Sequence, residues 1–408
     1  MNEPGKGFLK FSEEGQLLPQ EEMLETIIPK KSLSIGIPKE IILNESRISL
    51  VPDGVNLLVE NGHTVFVERD AGEKANFSNE EFAESGAFIV NSKEEVFKSD
   101  VVIKIAPPTL EELDLLEKNK TLFSSIYLPQ QKKEYFQKLL QKRTLALAYE
   151  YIQDRTGTFP VVHSMSEIVG NTAILIAAEY LSHPKLGRGI MLGGFPGIKP
   201  AEVVIIGAGT VAEYATRTAL GMGASIKIFD NSIYKLRAIQ NKLGSRLYTT
   251  VLQPRELEEA LINANVVIAA KHSSTGRPSC FISEEMVQKM KPGTVIVDVS
   301  IDQGGCFETS RPTTHKNPVY IEHGIIHYCV PNIASRVPHT ASWSLSNFLT
   351  PLLLNIGEVG GVTNYLKRDE AFGKGVYTFN GTLTNEQIGE KFNLRYHDFR
   401  LLLAALRG

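Results

Sequence analysis

Gly207, Gly209, Ala212 and Asp230 have the types and spacing from which a dinucleotide site is made. Gly207 permits a tight turn. Gly209 lets backbone N–H groups approach a pyrophosphate at a helix N-terminus, and Ala212 keeps that helix close to the strand before it. A carboxylate at Asp230 would accept both ribose hydroxyls of NAD and repel a 2′-phosphate. The spacing therefore points to NAD as cofactor, in preference to NADP.

These residues need particular elements around them, and the chain supplies them in register. Residues 203–206 are an apolar, β-branched run that reads as a buried parallel strand. Residues 210–222 have helical spacing, and 225–229 form a second strand that ends at Asp230. Before this unit, residues 33–37, 63–67, 101–105, 122–126 and 145–148 read as strands. Residues 52–60 form a helix between them, and Ser78/Glu81, Ser92/Glu95 and Thr109/Glu112 have the spacing of capping boxes. After the unit come a helix at 233–243 and strands at 266–270, 294–299 and 325–330.

Such alternation implies an α/β protein with two doubly wound domains. A long helix over 161–181 links them, and a second one over 343–357 carries the chain back, with Leu345, Phe348 and 352–354 needing apolar cover at a subunit contact. Residues 385–407 read as largely helical. The expected division is a Rossmann NAD-binding domain at 161–339 inserted in a discontinuous substrate domain at 1–160 and 340–408. The first domain has no phosphate-type glycine loop and is the better substrate side. Residues 1–33 carry no clear fold signal, although Phe8, Leu9 and Phe11 could dock on a neighbouring surface.

A chain of 408 residues accommodates two full cores. A net charge of −3 gives no reason to expect nucleic acid or anionic membrane as partner. The uninterrupted apolar runs are short of a bilayer span, and the N-terminus lacks an apolar signal core. Cys280, Cys306 and Cys329 are odd in number and lack metal-type spacing, which suggests reduced thiols in a cytoplasm and no metal site.

Several longer runs add a resemblance. IGIPKE (35–40), ESRISLVPDGV (45–55), MSEIVG (165–170), the GAG turn, DVSIDQGGCFETSRPTT (298–314) and CVPNIASRVPHTAS (329–342) resemble the alanine dehydrogenase and pyridine-nucleotide transhydrogenase family. The resemblance covers nearly everything from Ile35 onward. It implies an N-terminal substrate domain completed by the chain's end, a central NAD domain, and a homo-oligomer, a hexamer or dimer. It places the family's substrate arginine on Arg47 and its catalytic aspartate on Asp302. A guanidinium suits a carboxylate because it forms two parallel hydrogen bonds. Ser166, Asp230, Lys235 and Asn332 match NAD contacts, while Leu252 replaces a serine on the adenosine side.

The substrate side departs from the family. In VVIKIAPP the first lysine of a K-x-K pattern is kept as Lys104, and the second is Ala106. In LFSSIYLPQ the position of the family's histidine is Tyr127. Tyr127 can donate a hydrogen bond, but with a reference pKa of about 10 it is a poor proton shuttle at neutral pH. Lys104 could reach the cleft or serve in an ion pair at the sheet end. Three readings stay open: NAD-dependent alanine dehydrogenase, the same chemistry on a different 2-amino or 2-oxo acid, and an NAD(H)-binding protein without amino-acid turnover.

Overall fold

A computed structural model describes residues 30–271 and 282–405. Phe8, Leu9, Phe11 and Cys280 lie outside the described residues.

Six strands of the first half are β1 (Ser34–Ile37), β2 (Thr64–Glu68), β3 (Phe88–Val90), β4 (Val101–Ile103), β5 (Thr121–Ser124) and β6 (Leu145–Ala148). Those of the second half are β7 (Glu202–Ile206), β8 (Ser225–Phe229), β9 (Tyr248–Thr250), β10 (Val266–Ala269), β11 (Val295–Asp298), β12 (Val319–Glu322) and β13 (Ile325–Tyr328). Near the end come β14 (Val376–Phe379) and β15 (Thr382–Leu383). Every residue of β4, β5, β6, β10, β11 and β13 is buried, as expected for strands covered on both faces.

Among the described residues these strands make two sheets. The first has the order β15-β14-β6-β5-β4-β1-β2-β3 and the second β12-β13-β11-β10-β7-β8-β9. The core of each is parallel, and β12, β14 and β15 pair antiparallel at the edges. Both are thus doubly wound, with the strand order reversing between β1 and β4 in one and between β7 and β10 in the other. Ligands bind outside the carboxyl ends of strands at such reversals. The residues that follow β1, β4, β7 and β10 are consequently where chemistry is to be sought.

Local chemistry sets most helix boundaries. The helix Pro52–Glu60 starts on a proline whose missing N–H costs nothing there. Ser78 with Glu81 and Thr109 with Glu112 close complete capping boxes. Ser92 does not: its hydroxyl donates to Glu94 at 2.6 Å, and the expected box is absent. The helix Pro338–Glu358 begins earlier than its apolar spacing suggests, again on a proline. Its Leu345, Leu352 and Leu353 are buried in the first domain's own core, so that face needs no neighbouring subunit. The C-terminal stretch breaks into the helices Glu386–Phe392 and Phe399–Ala405, because Asn393 turns left-handed at φ 50°.

The helix Pro160–Ser182 leads from the first sheet to the second. By length and composition alone it is long and apolar enough to cross a membrane, which uninterrupted apolar runs do not reveal. In the fold its Ala173, Ile174, Ile176 and Ala177 are fully buried in the second domain's core. It packs on the helix Thr210–Gly221. The contact is close: a Cβ on Gly170 would stand 2.5 Å from the Val211 carbonyl and 2.8 Å from the Tyr214 Cβ.

Candidate active site

The loop after β1 carries two buried charges on residues two apart. Glu45 Oε1 accepts from Arg47 Nε at 2.8 Å, and its Oε2 accepts from Nη2 at 2.6 Å. The Arg47 backbone N–H also donates to Oε1, at 3.0 Å. This is the two-pronged pairing that a planar guanidinium favours. It uses one edge of the fork. On the remaining side, among the described residues, Nη1 meets the soft Met165 sulfur, at 3.4 Å. Burial pushes the Glu45 carboxyl up, but the charge and hydrogen bonds of Arg47 outweigh it and hold the group below the usual carboxylate range.

Arg47 and Glu45 line a cavity of about 530 Å³, together with Tyr127, Met165, Asp302 and Asn332. Four of these six residues are expected from the sequence, and Arg47, Tyr127, Asp302 and Asn332 come from loops after β1, β5, β11 and β13. The cavity therefore lies where the carboxyl ends of the two sheets meet. Asp302 sits in the 3₁₀ turn Val299–Gln303 that follows β11. Its side chain is open to the cavity although protein atoms surround the cleft. Burial raises its carboxyl above the ordinary aspartate value, partly opposed by the Asn332 backbone N–H and by Arg47.

Three residues of the cavity wall, Asn44, Tyr127 and Asn332, are left-handed, at φ 65°, 47° and 61°. Asparagine tolerates this region, but a bulky aromatic there is an outlier that the surrounding structure must enforce. At Tyr127 the enforcing group is Glu150, after β6. Its carboxylate accepts the Ile126 backbone N–H at 2.7 Å and also that of Tyr127. Burial pushes the Tyr127 phenol up to about 12. At neutral pH it keeps its proton and can donate a hydrogen bond.

Lys104, the other cation expected on the substrate side, is placed differently. It is fully buried at the end of β4 and does not line the cavity. Its Nζ lies 2.9 Å from Glu40 and 3.5 Å from Glu112. Glu40 also accepts the Ile105 backbone N–H at 2.6 Å, and Tyr149 donates to the Lys104 carbonyl at 2.6 Å. Burial pulls the Lys104 ammonium down, and the two carboxylates outweigh it and raise it. This geometry is that of an ion pair at the sheet end. Ala106 is fully buried and brings no donor to the cavity.

On the cofactor side, Gly207 has φ +112°, and a Cβ there would stand 2.5 Å from the Ala270 carbonyl. The turn thus requires glycine. A Cβ on Gly209 would meet nothing within 4 Å, so the turn faces open space where a pyrophosphate would lie. The buried Asp230 accepts the Ala208 N–H at 3.0 Å and the Ser232 N–H at 2.8 Å. These two bonds lock the turn to the end of β8 and leave carboxylate lone pairs for ribose hydroxyls. The residues present fit NAD. Ser166 is half-buried next to Met165 on the helix Pro160–Ser182, and Lys235 is exposed on the helix Ile233–Leu243. Leu252 stands beside this region, its backbone N–H donating to the Asn231 side chain at 3.3 Å.

Glu45, Glu40, Glu112, Met165 and Glu150 were not legible as site residues. Only Glu45 had a local signal, its i,i+2 spacing to Arg47 in ESR. The others reach the site from different elements. Asp298, beside the same turn, is occupied with the loop: it accepts from Ser300, Cys306 and Ser310. Cys306 and Cys329 are buried.

Comparison with known proteins shows the family. Residues 36–169 match the N-terminal domain model of the alanine dehydrogenase/PNT family, and residues 173–386 match its C-terminal domain model. An alanine dehydrogenase of Staphylococcus saprophyticus is 38% identical over 370 residues, covering 90% of this chain and 99% of that protein. One of Mycolicibacterium smegmatis is 38% identical over 371 residues, covering 91% and 100%. A solved L-alanine dehydrogenase superposes with a TM-score of 0.82 at 35% identity, covering 88% of this chain and 99% of that one. A transhydrogenase from Sinorhizobium meliloti shares the fold, with a TM-score of 0.73 at 20% identity. With both of its domain models matched in order along one chain, this protein belongs to the alanine dehydrogenase/PNT family.

Proposed function

We infer that this protein is an NAD-dependent alanine dehydrogenase, which converts L-alanine and water to pyruvate and ammonium. The observation that carries the reading is one cavity in which the open edge of Arg47 and the carboxylate of Asp302 both appear, at the ends of two doubly wound sheets. NAD supplies the hydride acceptor. Gly207, Gly209 and Asp230 hold it, with Ser166, Lys235 and Asn332 as further contacts.

The free side of the Arg47 fork takes the substrate carboxylate, since Glu45 occupies the other. Asp302 is the remaining carboxylate in the cavity wall, and it carries protons. When water attacks C2 of the imino acid, Asp302 takes the proton from that water. It returns that proton to the nitrogen, the C–N bond breaks to release ammonia, and the hydroxyl proton lost as the carbonyl forms passes to Asp302 and then to ammonia, giving ammonium. Its raised pKa keeps its basicity closer to that task. Tyr127 donates to the substrate oxygen that forms. Residues 1–160 and 340–408 constitute the substrate domain and 161–339 the NAD domain. A cytoplasmic homo-oligomer is the form proposed for the working enzyme.

The test is NADH oxidation by the purified full chain with pyruvate and ammonia, beside a panel of 2-oxo acids. Turnover of another acid in preference to pyruvate moves the substrate assignment. Tight NADH binding with no turnover of any acid supports the second reading, a binding protein. The observation favouring that one is that, among the described residues, the cavity wall has no second cation beside Arg47, with Lys104 boxed in and Ala106 buried.

A further inference from the structure

Glu45 serves two sides of the cleft at once. Its carboxylate is 2% exposed, and both oxygens are saturated with hydrogen bonds. Toward the substrate side it holds Arg47 through Nε and Nη2. Toward the cofactor side it accepts from Asn332 Nδ2 at 2.9 Å, across 287 residues, and from Ser335 Oγ at 3.3 Å. Ser335 and Asn332 follow β13, in the segment where the chain leaves the second sheet. More bonds join the same two loops. Ser335 Oγ accepts the Ser46 N–H at 2.7 Å, and Asn332 Nδ2 donates to the Asn44 carbonyl at 3.2 Å. The Asn332 backbone N–H reaches Asp302.

One oxygen, Oε2, accepts from both Arg47 Nη2 and Asn332 Nδ2. Any ligand that draws the Asn332 amide away, or that fixes it, changes what Arg47 meets, and the reverse holds. We propose that Glu45 is a positioning residue that couples the two ligands: by orienting Arg47 and Asn332 through one carboxylate, it makes cofactor binding prepare the site for the substrate carboxylate. The proposal rests on the alanine dehydrogenase reading, in which Arg47 meets substrate and Asn332 meets cofactor. By linkage the effect is reciprocal, so substrate must tighten cofactor by the same factor.

Glu45→Gln tests it with little change of shape. An amide offers one acceptor and one NH₂, so wherever the NH₂ points it faces donors already present, and the shared arrangement fails. NADH affinity of the full chain is measured by the fluorescence of bound NADH, with and without saturating pyruvate, in the absence of ammonia. In the parent, pyruvate tightens NADH by about tenfold, within the ordinary range of coupling between sites. In E45Q this factor falls below about twofold, and KM for pyruvate rises far more than kcat falls. A merely structural role would lower the melting temperature and leave the coupling factor of the folded protein unchanged. Asn332→Ser provides a second route that leaves the Glu45–Arg47 pair whole, and it should lose the coupling as well. If the parent turns pyruvate over and both variants keep the parent's factor, the inference is overturned and the function stands. If the parent shows neither turnover nor any effect of pyruvate on NADH, both are overturned together.

Discussion

Two charged clusters lie close together at the carboxyl end of the first sheet, and they are put to different uses. In one, Arg47 pairs with Glu45 in the wall of the cavity. In the other, Lys104 pairs with Glu40 and Glu112 beneath it. Both cations are buried and both have carboxylate partners. The difference is the shape of the donor. A guanidinium has five N–H groups in a plane, so a two-pronged partner leaves an edge free. An ammonium is a point charge, and two carboxylates close around it. The same burial therefore leaves Arg47 able to take a ligand and commits Lys104 to holding the loops after β1 and β4 together.

The comparison can be broken in four ways. The largest effect is expected at Asp302, which shares the cavity with Arg47. Asp302→Asn should lower kcat by about 10²–10⁴, as loss of a proton carrier does, with little change in stability. The parent's kcat/KM should rise with pH as Asp302 ionises, with a midpoint above the ordinary aspartate value of about 3.9, because burial raises it. That limb should vanish in D302N. A variant that keeps the limb and the rate would remove Asp302 from the chemistry.

Next is Lys104→Met, which leaves Glu40 without its cation in a buried place, while Glu112 keeps Lys93 at 3.2 Å. Removal of one partner there costs about 3–5 kcal/mol, readable by urea unfolding. KM for pyruvate should stay within about twofold of the parent, since no direct contact is lost. A large rise in KM with intact stability would make Lys104 a substrate ligand and erase the distinction between the clusters. The pH signs also differ. Lys104 has a raised folded pKa. Its stabilisation is complete below the unfolded value of about 10.4 and is lost as pH climbs through the folded value. Glu45 has a lowered folded pKa. Its stabilisation is present above about 4.3 and is lost as pH falls through the folded value. Alkali should open the lower cluster and acid the cavity wall, and K104M should lack the alkaline loss that Lys104 causes.

Arg47→Lys comes third. Lysine can still meet Glu45, but it has no second edge for a ligand. KM for pyruvate should rise by about 10–100-fold, a loss of roughly 1.4–2.7 kcal/mol. Stability should fall much less than in K104M. An unchanged KM would show that the fork is not what meets the substrate.

The smallest effect is a gain. Tyr127→His replaces a phenol raised to about 12 with an imidazole that titrates near neutrality. Histidine is also more at ease in the left-handed region than tyrosine is. The rate with pyruvate and ammonia should rise by about tenfold, roughly 1.4 kcal/mol. No gain, in a variant that folds and binds NADH, would mean that Asp302 already carries every proton the reaction needs.

The sequence by itself determined the alternating elements and the dinucleotide turn. The helices Pro52–Glu60 and Ile233–Leu243 fall where apolar spacing and end signals put them. Gly207 and Asp230 lie within one strand–turn–helix–strand unit, so their relation is local and can be read from spacing. Much of the rest depends on partners distant in the chain. β14 was not expected as a strand, because what makes Val376–Phe379 extended is pairing with β6, over 200 residues earlier. Ser92 and Glu95 have the right spacing for a capping box, yet the hydroxyl goes to Glu94. For Lys104 the spacing left both the cleft and an ion pair open, and only the fold brings Glu40 onto it and Asn332 onto the partner of Arg47. Spacing encodes which face a side chain takes along its own element. Which charges share a buried volume is decided by how the elements stack, and burial then forces every such charge to find a partner.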